Sequence, residues 1–139
     1  MKFYRIRQKS DRKKLRDEIG KLHLKILKIE RGDICEIHNR KCSNIGRSHI
    51  LSVGLYPKLE FYSENIVLAG WYCSHFYSHH NPDDPRAELM KQRTIELRGE
   101  DCKDRLKVLN VGAPKLTMSS LQMIYAAYKQ AVEDLDETS

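Results

Sequence analysis

The chain has 139 residues, enough for one compact domain and too few for several. Lys and Arg outnumber Asp and Glu by 25 to 19, a balance that suits an anionic partner better than a basic one. No stretch approaches the roughly 18 consecutive apolar residues of a membrane helix, and the opening MKFYRIRQKSDRKK lacks the apolar run of a signal peptide, so a cytoplasmic protein with no membrane partner is expected.

Residues 1–32 carry twelve basic side chains against Asp11, Asp17, Glu18 and Glu30, a local net of +8 that exceeds the +6 of the whole chain. Among them Leu15, Ile19, Leu22, Ile26 and Ile29 recur at spacings of three and four. This periodicity predicts an amphipathic helix from Ser10 to about Glu30, capped by Ser10 or Asp11 and ended by Gly32. Its other face offers Arg12, Lys14, Lys21, Lys25 and Lys28 to solvent or to phosphate, and each phosphate neutralised would release condensed counterions. His23, between Leu22 and Leu24, reads as a surface or hydrogen-bonded core residue. Residues 33–46, DICEIHNRKCSNIG, have the short, polar, cysteine-bearing character of a metal-binding knuckle.

A short strand is expected over Ser48–Ser52, then a returning loop from Val53 to Ser63 with Gly54 and Pro57, then a β-branched partner strand at Ile66–Ala69. A brief helix from Cys73 to about His80 should stop at Asn81-Pro82, because the residue before proline is pushed out of the helical region. Three more helices are predicted, over Pro85–Leu97, Asp101–Leu109, and Met118 or Ser119 to about Leu135. Gly99 and the run Gly112-Ala113-Pro114 separate them, and Thr117, Ser119 or Ser120 can cap the last. Leu121, Ile124, Tyr128, Val132 and Leu135 form a stripe read as core. The acidic end, Glu133, Asp134, Asp136 and Glu137, reads as a frayed terminus.

Four cysteines at positions 35, 42, 73 and 102 are poor disulfide candidates in a reducing compartment, and three of them share a segment with most of the histidines. That clustering favours metal. Cys102 lies in the helical tail and is read as packing. His75 and His79 are four apart, so on a helix they share a face and can hold one divalent ion. A hairpin packed on that helix could bring His49 across from the ion, leaving room for a phosphate between them. Histidine suits the activation of water because its ordinary pKa lies near neutrality.

The elements C-E-I-H at 35–38, S-H-I at 48–50, Asn65 before I-V-L, and C-S-H-F-Y-S-H-H-N-P at 73–82 resemble the HNH, or ββα-metal, endonuclease family in order and approximate spacing. The resemblance implies an α+β protein with a basic N-terminal helix (1–32), a zinc-braced, treble-clef-like HNH core (33–82) and a C-terminal helical extension (83–139). It implies His49 as the general base, Asn65 as the brace of the loop that orients it, and His75 and His79 as ligands of a catalytic Mg²⁺ or Mn²⁺, with His80 as the substitute if the register slips. It also implies a structural Zn²⁺, for which Cys35, His38, Cys42 and Cys73 are the candidate set, Gly70 standing where a further cysteine is expected; the alternative is that zinc is absent and the cysteines are ordinary buried thiols. The implied partner is DNA, and Arg40, Lys41 and Arg47 beside the hairpin join the helix cations as candidate contacts. H-x-x-x-H before Asn-Pro, with Lys115-Leu116-Thr117 and a final helix, is similar to phage NinG-type recombination nucleases. That branch implies branched DNA substrates in a bacterial host cytoplasm, and a homing or restriction-type HNH nuclease is the other branch left open. Ser48 stands where many members place an acidic or histidine metal ligand, and the interval from Asn65 to His75 is about one residue longer than in many members. A non-catalytic zinc-knuckle DNA-binding relative is therefore the alternative. The oligomeric state is left open, a homodimer included.

Overall fold

The structure, a computed structural model, describes residues 2–71 and 83–138. Cys73, His75, His79 and His80, and with them the expected brief helix, lie outside the described residues. The described residues form an α+β arrangement of four helices and one two-stranded antiparallel sheet.

Helix α1 (Lys2–Arg31) is longer than the periodicity predicts. Ser10 and Asp11 lie inside it and do not cap it, because the residues before them include good helix formers and neither Gly nor Pro. The helix stops at Gly32, which adopts φ +94° and gives its N–H to the Lys28 carbonyl at 2.9 Å. Glycine takes this left-handed position at the helix end with no Cβ penalty.

Strand β1 (Ile45–His49) pairs antiparallel with β2 (Ile66–Gly70), with Ile45 opposite Gly70 and His49 opposite Ile66. The first strand therefore starts three residues before the expected Ser48 and ends at His49. Asn44, at φ +54°, turns the chain out of the preceding knuckle and lets extension begin at once. Two single 3-10 turns, Pro57–Leu59 and Ser63–Asn65, shape the connection between the strands.

Every residue of β2 is buried, and its two faces meet different partners. Ile66 and Leu68 pack on Leu27 of α1, whereas Val67 and Ala69 pack on Cys35, Ile37 and Met90. Burial on both faces explains why this strand is a continuous apolar run. Cross-strand partners share a face, so Arg47 and His49, opposite Leu68 and Ile66, belong to the side that meets α1.

Helix α2 (Pro85–Arg98) begins with proline behind Asp84, whose side chain accepts from the Arg86 N–H at 2.8 Å. Helix α3 (Cys102–Gly112) brings Leu106 under Leu51 and Leu59 of the long loop. Cys102 is buried at its start. Helix α4 (Met118–Thr138) is capped by Thr117, whose Oγ1 accepts from the Ser120 N–H at 3.1 Å. Arg12 reaches the Leu116 carbonyl and Lys25 reaches Asp136, so α1 and α4 run side by side in the same direction. Between them Ile19, Leu121 and Phe61 form one buried cluster. Among the described residues no helix is long and apolar enough to cross a membrane.

Candidate functional site

The knuckle closes through a backbone bond from Cys35 N–H to the Arg40 carbonyl at 2.8 Å, with Asn39 supplying the left-handed turn at φ +53°. The result is a cluster in which the ligand atoms of Cys35, His38 and Cys42 all lie within 4.8 Å of one another, a group that could hold a metal ion. Cys35 Sγ is 3.6 Å from His38 Nδ1. A tetrahedral ion with bonds of about 2.3 Å to sulfur and about 2.05 Å to nitrogen would separate those two atoms by roughly 3.6 Å. The fit extends to the sulfur itself, since the Gly70 N–H donates to Cys35 Sγ at 3.5 Å and so favours the thiolate that a metal requires. Two thiols and an imidazole make a donor set matched to a borderline-soft cation. Cys73, the fourth expected ligand, lies outside the described residues.

An arginine clamp that the sequence did not announce fixes this knuckle to its neighbours. The Glu36 carboxylate accepts from Arg31 at 3.1 Å, from Arg98 at 3.1 Å and from the Leu68 N–H at 2.9 Å. Arg93 donates to the carbonyls of Ile37 and Glu36, each at 3.1 Å. One acidic side chain thus ties together the end of α1, the knuckle, β2 and α2.

His49 ends β1, half-buried, with Nε2 3.0 Å from the Glu60 carbonyl oxygen. A carbonyl only accepts, so Nε2 carries the proton, and in the neutral ring Nδ1 keeps the lone pair. Asn65 is fully buried at the entrance to β2. Its Oδ1 accepts from Leu51 N–H at 2.7 Å, and its Nδ2 donates to the carbonyls of Leu51 at 3.0 Å and Leu59 at 3.4 Å. The side chain continues the ladder beyond the end of β1 and fixes both limbs of the long loop. A cleft of about 530 Å³ opens beside this hairpin, with Ser48 and His49 on one wall and Glu88, Lys91, Glu100 and Lys103 among the residues opposite.

Behind His49 lies a buried polar array. Arg47 Nη1 sits 3.1 Å from the Glu60 carbonyl and 3.1 Å from His23 Nδ1, while its guanidinium carbon is 5.3 Å from the centroid of the Phe61 ring. His23 Nε2 is 3.0 Å from Ser63 Oγ. Burial, followed by the charges of Arg47, His49 and Arg31, pushes the His23 pKa down to about 3, so this ring is neutral at physiological pH. His23 is accordingly a hydrogen-bonded core residue. The Glu60 carboxylate is held in turn by Arg16 at 2.8 Å.

The expected DNA contacts divide into three groups. Lys14, Arg40 and Lys41 are exposed. Lys21, Lys25 and Lys28 are each matched by an acid, Glu18, Asp136 and Asp33 respectively, and Arg12 is fastened to the Leu116 carbonyl. Arg47 points inward to the array described above and is no surface cation.

No protein-family model, curated protein or solved structure matches the chain.

Proposed function

We propose that the chain is a metal-dependent endonuclease of the HNH type that hydrolyses phosphodiester bonds in DNA. The observation that carries this reading is the pairing of His49 and Asn65 at one end of the hairpin. The histidine is oriented by a backbone carbonyl, and the asparagine is engaged entirely in fixing the loop from which that carbonyl comes. In this mechanism His49 Nδ1 takes a proton from water as the water oxygen bonds to phosphorus. The bond from phosphorus to the 3′ oxygen breaks, that oxygen takes a proton from solvent, and the products are a 5′-phosphate and a 3′-hydroxyl. Mg²⁺ or Mn²⁺ held by His75 and His79 would stabilise negative charge on the phosphoryl and departing oxygens. The Cys35, His38 and Cys42 group, completed by Cys73, would hold a structural Zn²⁺, and the exposed cations would grip the DNA backbone. The likeness of the tail to NinG-type nucleases favours branched DNA as substrate over the target of a homing or restriction-type nuclease.

Purified protein incubated with linear, nicked and branched DNA, with and without Mg²⁺ or Mn²⁺, tests the proposal. The wild type should cut only with metal, and His49→Ala should lose about 10²–10⁴-fold in rate while still binding DNA. A loss of only about twofold would remove His49 from the mechanism, because a general base contributes far more. Buried Ser48, standing where an acidic ligand is expected, favours a second reading in which the knuckle and basic surface bind DNA without cutting it. Retained binding with intact DNA in every arm would select that reading.

A further inference from the structure

We infer that Arg47 is a positioning residue for His49, acting through the carbonyl oxygen of Glu60 that both side chains share. The inference rests on His49 being the base. Glu60 O takes a hydrogen bond from His49 Nε2 at 3.0 Å and another from Arg47 Nη1 at 3.1 Å, so a single atom sets the direction of the imidazole and is itself set by the guanidinium.

Two residues of the array are locally unfavourable and suit each other. A mostly buried guanidinium at position 47 is a costly way to cover Leu68, its cross-strand partner, which an apolar side chain would cover with no charge to desolvate. Gly20 lies inside α1, where glycine is a poorer helix former than alanine. A Cβ at Gly20 would come within 2.7 Å of Arg47 Nη2. The helix therefore gives up a side chain where the guanidinium lies against it. Broken local rules that fit one another point to a site and not to packing alone.

The remaining partners complete the chain of hydrogen bonds. The neutral His23 ring offers Nδ1 as acceptor to Arg47 and gives its Nε2 proton to Ser63 Oγ. The Ser63 carbonyl accepts from Arg31 at 2.8 Å, and the Tyr128 hydroxyl donates to the Phe61 carbonyl at 2.8 Å. Residues 60–63 are held at every step, and the first of them presents the oxygen to His49. The described contacts of the Arg47 fork are turned inward, to His23 and the Glu60 carbonyl. It should govern the chemical step and leave DNA affinity alone.

Two variants of the full chain provide the test. Arg47→Met removes the fork, and Gly20→Ala displaces it while raising helix propensity, so the second remains informative should the first not fold. Two-bond proton–nitrogen spectra of the ¹⁵N-labelled imidazoles, assigned with His49→Ala, report the His49 tautomer without any cleavage assay. In the wild type His49 should be the Nε2–H tautomer; in both variants it should become a mixture. In the cleavage assay kcat should fall about 10- to 100-fold, the scale of a misplaced catalytic group, with KM for DNA nearly unchanged. An unaltered His49 tautomer in the folded variants would overturn the inference. A raised KM and a changed salt dependence at constant kcat would also overturn it, making Arg47 a phosphate contact. If the wild type cuts no DNA, the proposed nuclease function fails on that result, and the tautomer comparison still decides the role of Arg47.

Discussion

Asn65→Ala isolates the side chain that fixes the long loop. Asn65 is fully buried, and Leu51, whose N–H and carbonyl it serves, is 6% exposed. Alanine leaves both backbone groups without that partner and without ready access to water. Each orphaned buried group costs about 1–3 kcal/mol, and the longer bond to Leu59 at 3.4 Å adds little, so the expected loss is about 2–6 kcal/mol. That is a large share of the roughly 5–15 kcal/mol that holds an ordinary domain together. With a mid-range urea m-value of about 2 kcal/mol/M, the unfolding midpoint followed by far-UV circular dichroism should fall by roughly 1–3 M. Asn65→Asp sharpens the test, because the new carboxyl keeps the acceptor for Leu51 N–H but faces the Leu51 and Leu59 carbonyls with oxygen. Its folded pKa should be raised above the ordinary value of about 3.9, so the variant should lose stability as pH rises from there through that raised value. A loss below about 0.5 kcal/mol in Asn65→Ala would refute the reasoning, since surface changes commonly reach that size.

Three other expectations follow from the same geometry. His23 has its pKa lowered to about 3, so the unfolded chain binds the extra proton first. Stability should be complete above pH 6.5 and fall by about 1.4 kcal/mol per pH unit towards pH 3, and His23→Gln should flatten that slope by one proton in urea titrations. Metal analysis should find about one zinc per chain, absent from Cys35→Ser together with a drop of several degrees in melting temperature; a folded, active protein without zinc would rule out the knuckle as a zinc centre. Replacing exposed Lys14, Arg40 and Lys41 by Gln should reduce the slope of log affinity against log salt by about 0.9 for each duplex phosphate no longer neutralised, while the acid-matched Lys21, Lys25 and Lys28 should contribute less; equal effects from both sets would show that the ion pairs are irrelevant to binding.

Much of the architecture was legible because its punctuation is local. Gly32 marks the end of α1, Pro85 the start of α2, and Thr117 the cap of α4, each through backbone chemistry carried by the residue itself. The Cys35, His38 and Cys42 cluster was legible for the same reason: its members share one short turn. The start of α1 was not, because Ser10 and Asp11 resemble caps only when the residues before them are not already helical. The inward turn of Arg47 was also hidden. A cation on a two-stranded hairpin reads as solvent-facing, and what draws it inward is Gly20, His23 and a main-chain carbonyl from three separate places. The carbonyl that orients His49 carries no side-chain signature at all.

The side-by-side docking of α1 and α4 joins residues 104 positions apart at Arg12 and Leu116, and it has a kinetic consequence. The knuckle and the hairpin close over short intervals and can form early. Docking of the two long helices must instead pay for a closure over most of the chain, a contact of high sequence separation that slows folding. Phe61 and the Tyr128 bond to its carbonyl depend on that docking. The segment that carries Glu60 should therefore take its final setting after the rest of the hairpin, so refolding chains should close the Cys35, His38 and Cys42 turn before they orient His49.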